Sequence, residues 1–221
     1  MLFEQLIEVH DPAPHPAALN MALDEALLQQ ASVPTLRIYG WSEPAVSLGY
    51  FSRFAEAQRT AAGRAMVRRW TGGGLVEHGK DVTYTLIVPR AAAFFQHTPL
   101  ESYRLIHERI AQWLIEQGIG AGVAVDSAIE NSAACFASHV RYDIVAGTAK
   151  LAGAAQRRTR WGLLHQGSMQ LPATAKDQRA DGLAETFATH IQRTDITLEV
   201  LQAAQQIAQQ KYATEDWLRK F

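Results

Sequence analysis

The sequence predicts a single α/β domain of the α+β kind, with a mixed, mainly antiparallel sheet flanked by helices. Three observations predict it. Apolar runs with a two-residue period are separated by turn residues from stretches with a helical period. Strand-like runs follow one another more often than they alternate with helices, which favours a mixed or antiparallel sheet over a doubly wound one. Finally, 221 residues, 48% hydrophobic and 19% charged, with no repeat and no linker, suit one domain over residues 1–221.

The elements follow in order. Leu2 to Val9 is apolar and closed by Asp11-Pro12-Ala13-Pro14, as a strand ending in a turn. From Pro16 to Ala31 the period becomes helical, with Leu19, Leu23 and Leu27 one turn apart. Thr35–Tyr39 and Ala45–Tyr50 are β-type runs, and Val82–Val88 alternates cleanly, with Val82, Tyr84, Leu86 and Val88 on one face and Thr83 and Thr85 on the other. A helix is expected over Pro99–Gln117: Thr98 caps it, Pro99 opens it, Glu101 completes a capping box, and Gly118 stops it. Its apolar stripe is Leu100, Tyr103, Ile106, Ile110, Trp113 and Leu114. Strand-like runs recur at Val123–Val125, Tyr142–Val145, Leu151–Ala155 and Leu163–Leu171; Leu198–Lys211 is helical, with a short further helical piece to Phe221.

Composition excludes several classes of function. Lys plus Arg (21) and Asp plus Glu (22) leave a formal charge of −1, so there is no global basic field for nucleic acid. One cysteine allows no internal disulfide and no multi-cysteine metal site. The sequence shows neither a signal-peptide pattern nor an apolar run long enough to span a bilayer, so no membrane partner is expected and the expected compartment is the cytoplasm.

Three segments carry more than packing requires. In Arg68-Arg69-Trp70-Thr71-Gly72-Gly73-Gly74, with His78 following, three glycines between strand-like runs let a backbone approach a ligand closely, and the arginines suit a carboxylate or phosphate. A tight turn with solvated arginines is the other reading. The run matches neither the phosphate-binding loop nor the dinucleotide fingerprint. In Lys150-Leu151-Ala152-Gly153-Ala154-Ala155, a lysine beside small residues leaves room for a ligand and supplies an ammonium for developing negative charge or, if desolvated, a base; a solvent-facing loop lysine is the other reading. Arg157, Arg158 and Arg160 behind it form a basic cluster that suits an acidic partner or a solvated turn. Cys135 is the one cysteine, either an inert small hydrophobe or a nucleophile. Asn20 and Asp24, one helical turn apart, suit a structural role.

These segments together resemble the biotin/lipoate protein ligase catalytic-domain family over most of the chain. The resemblance is carried by Asn20-Met21-Ala22-Leu23-Asp24-Glu25, Leu36-Arg37-Ile38-Tyr39 and Val46-Ser47-Leu48-Gly49-Tyr50-Phe51. It continues in Arg68-Arg69-x-Thr71-Gly72-Gly73 with His78, and in Lys150-x-x-Gly153-x-Ala155-Gln156 before His165-Gln166-Gly167-Ser168. It implies the family's mixed-sheet fold and delivery of an octanoyl or lipoyl tail to a protein lysine. Many ligases of the family carry a C-terminal accessory domain, which is not expected here.

Asp81-Val82-Thr83-Tyr84 resembles the octanoyltransferase and amidotransferase branch, whose cysteine nucleophile lies seven residues before a Tyr-acidic pair and fifteen before the lysine. Cys135, Tyr142-Asp143 and Lys150 reproduce both spacings. The resemblance therefore implies Cys135 and Lys150 as catalytic residues. It implies Arg69, Gly72, Gly73, Gly74, His78, Gly153, Ala155 and His165 as substrate-binding residues, with His78 and His139 as rival bases. The implied donor is octanoyl-acyl carrier protein, and the implied acceptor a lipoyl domain or the glycine cleavage H protein. No cofactor is expected. ATP and magnesium belong only to the alternative of a lipoate-protein ligase, an alternative to which the third glycine and Ala154 in place of a serine point. A lipoyl or octanoyl amidotransferase is a further alternative, and a non-catalytic acyl-binding relative the last.

Overall fold

The computed structural model describes residues 1–127, 139–171 and 180–221. Cys135 lies outside them. The chain runs β1 (Phe3–His10), α1 (Ala17–Gln30), β2 (Thr35–Tyr39), β3 (Ala45–Leu48), α2 (Phe54–Ala61), β4 (Ala65–Arg68), β5 (Leu75–His78) and β6 (Val82–Pro89). It continues through α3 (Pro99–Glu116), β7 (Gly122–Val123), β8 (Ile144–Ala146), β9 (Ala149–Arg158), β10 (Gly162–Met169), α4 (Leu183–Phe187), β11 (Ala188–Asp195), α5 (Leu198–Ile207) and α6 (Glu215–Leu218). Among the described residues no helix is long and apolar enough to cross a membrane.

Eight strands form one sheet in the order β11-β1-β2-β6-β10-β9-β8-β7, and β4-β3-β5 form a second. In the large sheet β1 is parallel to β11 and β2, and every later pair is antiparallel. Helices cover both of its faces, which is why β6 is buried almost throughout. Tyr84, Leu86 and Val88 enter the core with Ile106, Ile110 and Leu114 of α3, while Ile87 enters the core with Leu23 and Ala26 of α1 and Val200 and Ala204 of α5.

Cross-strand register decides what each face presents. Tyr39, Thr83, Ser168 and Gly153 stand in one row across β2, β6, β10 and β9, and Arg37, Thr85, Gln166 and Ala155 form the next row on that face. The opposite face carries Ile38, Tyr84, Gly167 and Ala154, then Leu36, Leu86, His165 and Gln156. The first face looks toward α1 and the small sheet, the second toward α3.

Helix α1 is buried on nearly every side, and its buried polar residues Asn20, Asp24 and Glu25 are all partnered. Arg37 donates to Asp11 Oδ2 (2.9 Å), Asp24 Oδ1 (2.7 Å) and Asn20 Oδ1 (2.7 Å). Asp24 Oδ2 accepts from Thr85 (2.6 Å) and Gln166 (2.7 Å), and Gln166 Oε1 accepts from Thr71 (2.7 Å). Asn20 and Asp24 therefore join α1 to the sheet and, through Gln166, to the glycine loop.

Helix α3 begins with the expected capping box. Leu100 of its expected stripe is exposed. The C-terminal helix is shorter than its period suggests: after Ile207 a π-helical stretch, Ala208–Tyr212, precedes α6. Lys211 Nζ and Tyr212 Oη both bond Glu25 Oε2 at 2.6 Å.

Candidate active site

Between the two sheets lies a cavity of about 270 Å³. Tyr39, Thr83, Ser168, Gly153 and Ala155 line it from the large sheet, and Ser47, Arg69, Gly73, Gly74, Val76 and His78 from the small sheet and its glycine loop. Lys150, Asp143 and Val140 line it near Gly153, and Trp41 near Thr83, to whose hydroxyl its indole N–H donates at 2.8 Å. From Tyr39 to Gly153 the row crosses three strand spacings, about 14 Å. The cavity is thus a slot with a lysine at one end and an aromatic wall at the other.

The glycine loop is built by close approach. A Cβ on Gly49 would stand 1.9 Å from the Gly73 carbonyl oxygen, and Gly73 itself has φ +85°. Arg69 shapes the loop by donating to the carbonyls of Ser47 (2.9 Å), Gly72 (2.9 Å) and Gly74 (3.0 Å). Arg68 is fully buried and donates to the carbonyls of Gly49, Tyr50, Ser52, Trp217 and Leu218 at 2.8–3.1 Å. Neither arginine is solvated, and Arg68 spends its planar fork on main chain rather than on a ligand carboxylate or phosphate.

His78 is fixed from three sides. Its Nδ1 lies 2.8 Å from Asp81 Oδ2, its Nε2 lies 2.6 Å from Ser47 Oγ, and Trp41 stacks on its ring at 4.0 Å. Burial works against the charge of Asp81, but hydrogen bonds from His78, Ser168 and Thr83 and the charge of His78 outweigh it, so the carboxyl lies below its ordinary range. Ser47 Oγ also accepts from Arg69 at 2.7 Å. A chain Asp81–His78–Ser47–Arg69 therefore braces the loop from behind, a role the sequence reading of His78 as substrate contact or base did not include.

At the lysine end, Lys150 Nζ lies 2.8 Å from Asp143 Oδ2, with both side chains buried. Asp143 also accepts from the Val140 N–H (2.8 Å) and the Tyr103 hydroxyl (2.5 Å). Gly153 makes room for the lysine: a Cβ there would stand 2.5 Å from Lys150 Cε and 2.7 Å from Nζ.

Of the residues expected to bind substrate, Arg69, Gly73, Gly74, His78, Gly153 and Ala155 line the slot together with Lys150. Gly72 contributes its carbonyl to Arg69 and is not among the lining residues. His165 requires a correction. It is paired with Leu86 and Gln156 on the α3 face, so its ring meets Tyr84 Oη (3.2 Å) and Gln156 (3.0 Å), and the slot is lined instead by its neighbour Gln166. One step along a strand changes the face. Burial, and then the neighbouring His107, hold the imidazole of His165 well below its ordinary pKa.

The expected basic cluster is corrected for the same reason. Arg157 bonds the Trp70 carbonyl and lies over Trp70 and Tyr50, whereas Arg158, on the other face, bonds the carbonyls of Phe95 and His97. Asp143, Tyr103 and Trp41 were missed by sequence reasoning as slot-building residues. The Tyr142-Asp143 pair beside Lys150 in the spacing argument was the available signal for the first.

Comparisons with known proteins identify the family and the fold. Residues 16–194 match the family described as lipoyl protein ligase A/B catalytic domain. The octanoyltransferase LipM of Kyrpidia tusciae is 36% identical over 79% of this chain and 73% of its own length. That of Geobacillus kaustophilus is 38% identical over 71% of this chain and 62% of its own. That of Anoxybacillus flavithermus is 30% identical over 90% and 93%.

Among solved structures, a lipoate-protein ligase A bound with ATP superposes with a TM-score of 0.75 at 21% identity, covering 98% of this chain and 99% of that one. A bipartite lipoate protein ligase from Thermoplasma acidophilum, solved in a study of it and its E2 lipoyl domain, gives 0.68 at 18%, over 99% and 98%. At those identities the structures speak for the fold. With the family match spanning most of the chain, this protein belongs to the lipoyl protein ligase A/B catalytic-domain family.

Proposed function

We propose that this chain is an octanoyltransferase of protein lipoylation, acting as one catalytic domain over residues 1–221 in the cytoplasm. It would take an octanoyl group from a thioester on acyl carrier protein and deliver it to a lysine of a lipoyl domain or of the glycine cleavage H protein. The observation that carries the reading is the slot: an apolar-sided cavity that ends at a buried, fixed Lys150 beneath a glycine loop. The relatives named octanoyltransferase support it.

In this reading the Cys135 thiolate attacks the donor's carbonyl carbon. A new C–S bond forms, the carrier's C–S bond breaks, and the carrier leaves as a thiol, taking up the proton that Cys135 gave up on becoming a thiolate. The acceptor amine then attacks the acyl-enzyme carbonyl, an amide bond forms as the C–S bond to Cys135 breaks, and the amine's proton returns the cysteine to its thiol. A covalent relay divides one difficult transfer into two easier ones. A free thiol titrates near about 8.5, so a cation close to Cys135 enriches the reactive thiolate at neutral pH. Lys150 is assigned that charge and the stabilisation of the tetrahedral oxyanion, typically about 3 kcal/mol for one well-placed donor. The glycine loop shapes the carbonyl end, and the apolar walls take the tail. A thioester is already activated, so the reaction needs no ATP and no metal.

The experiment is transfer from octanoyl-acyl carrier protein to an unmodified lipoyl domain, followed by acceptor mass, with and without ATP. Transfer without ATP is expected, and Lys150→Ala lowers its rate by about 10²–10³-fold. Acceptor modification that requires ATP and free octanoate replaces this reading with that of a ligase.

A further inference from the structure

On the face of the sheet away from the slot, α3 places Tyr103 and His107 one turn apart against the turn that carries Asp143. The pairing of β8 with β9 ends at Ile144 and Ala152, so among the described residues β9 has no strand beside it on this edge beyond that point. The Tyr103 hydroxyl occupies that place. It accepts from the Ala154 N–H at 3.1 Å, standing in for the missing ladder partner, and donates to Asp143 Oδ1 at 2.5 Å. The other carboxylate oxygen of Asp143 holds Lys150 at 2.8 Å and the Val140 N–H at 2.8 Å. His107 lies against the Tyr103 ring, with centroids 4.1 Å apart, and its Nδ1 is 2.6 Å from the carbonyl of Tyr142, whose φ is +73°. That carbonyl lowers the cost of a left-handed conformation that a tyrosine rarely adopts.

We propose that Tyr103 is a positioning residue for acyl transfer: through Asp143 it fixes the Lys150 ammonium at the end of the slot, with His107 holding the turn between them. The proposal rests on the reading of Lys150 as an acting group and goes beyond it, because Tyr103 and His107 lie across the sheet from the reaction. The chemistry suits the role. Burial, and then the charge of Asp143, hold the Tyr103 phenol well above its ordinary pKa, so it remains a donor at every working pH. Phenylalanine keeps the ring and removes both hydrogen bonds.

The test measures kcat, KM and the rate at which Lys150 reacts with trinitrobenzenesulfonate, read by peptide mass. The proteins are the wild type, Tyr103→Phe, Lys150→Ala and Ile110→Val, the last thinning the packing of α3 without touching Asp143. Losing a hydrogen bond to a charged group predicts that Tyr103→Phe lowers kcat about tenfold and speeds Lys150 labelling by a similar factor, with KM little changed. Ile110→Val moves neither readout. If Tyr103→Phe fails to fold, Asp143→Asn carries the same expectation, since it keeps the shape and removes the carboxylate. Wild-type kcat and labelling in a folded Tyr103→Phe or Asp143→Asn protein, with Lys150→Ala inactive, overturns this inference alone. Full activity of Lys150→Ala overturns the underlying reading instead.

Discussion

A methyl group on Gly153 would collide with Lys150 Cε and Nζ and approach Asp143 Oδ1 to 3.3 Å. The nearest atoms belong to the end of a flexible side chain, so the lysine gives way and the fold holds. Gly153→Ala is therefore expected to melt within a few degrees of wild type while transfer falls by about 10²-fold, the usual cost of a displacement near 1 Å in a reacting geometry. Wild-type turnover with the alanine in place would show that the position of Lys150 is unimportant. The family resemblance singled out Lys150, Gly153, the glycine loop and His78, and the structure brings them together around the slot. What it did not foretell is each side chain's partner. Arg68 and Arg69 read in sequence as anion ligands, yet Arg68 bonds main-chain carbonyls and Arg69 bonds carbonyls and the Ser47 hydroxyl, because the loop they hold has few ladder bonds of its own.

The elements were legible where a repeating period met a cap or a turn. The helix of α3, with Thr98, Pro99 and Glu101 at its start, and the alternation of β6 needed little else. Two elements were not legible for physical reasons. Strand β11, Ala-Thr-His-Ile-Gln-Arg-Thr-Asp, is a sheet edge that among the described residues pairs only with β1, so it buries one small end and carries almost no apolar alternation. Helix α2 is short and packs only Phe54, Ala57 and Ala61. Which face a strand residue takes depends on register with its neighbours, and so His165 and the arginines of β9 fell on faces their spacing alone does not reveal.

Helix α3 also carries a pH dependence. Burial pushes the pKa of His107 down to about 4, against an ordinary value of 6.5, although the neighbouring Asp143 opposes it. The unfolded chain therefore binds this proton first as pH falls. Stability present above pH 6.5 is lost on acidification toward pH 4, by about 3 kcal/mol from this group. Thermal melts between pH 7 and pH 4.5 should fall steeply for the wild type and less steeply for His107→Gln, which keeps a polar group with no proton to gain. Equal slopes would show that His107 does not carry the effect.

At the scale of the molecule, the small sheet, the Gly49–Ser52 turn and the C-terminal segment meet at Arg68. Its guanidinium ties the Gly49–Ser52 turn to the carbonyls of Trp217 and Leu218, and the Trp217 indole N–H returns a hydrogen bond to the Arg68 carbonyl at 2.9 Å. Tyr50, Trp217 and Phe221 pack around the same junction. Removing one partner leaves several buried carbonyls unpaired, so Arg68→Ala is expected to cost about 3–5 kcal/mol in urea unfolding. A loss below about 1 kcal/mol, the range of ordinary surface changes, would mean the junction is not a structural clamp.

The slot between the sheets is the feature on which the proposed function depends, and a covalent acyl-enzyme on Cys135 is that proposal's most specific consequence. The direct measurement is intact mass of the protein after incubation with octanoyl-acyl carrier protein, without ATP and without acceptor. The account predicts one octanoyl adduct on Cys135, removed by hydroxylamine and absent from Cys135→Ala. An unmodified wild-type protein that still octanoylates a lipoyl domain, or an adduct that survives Cys135→Ala, would contradict it.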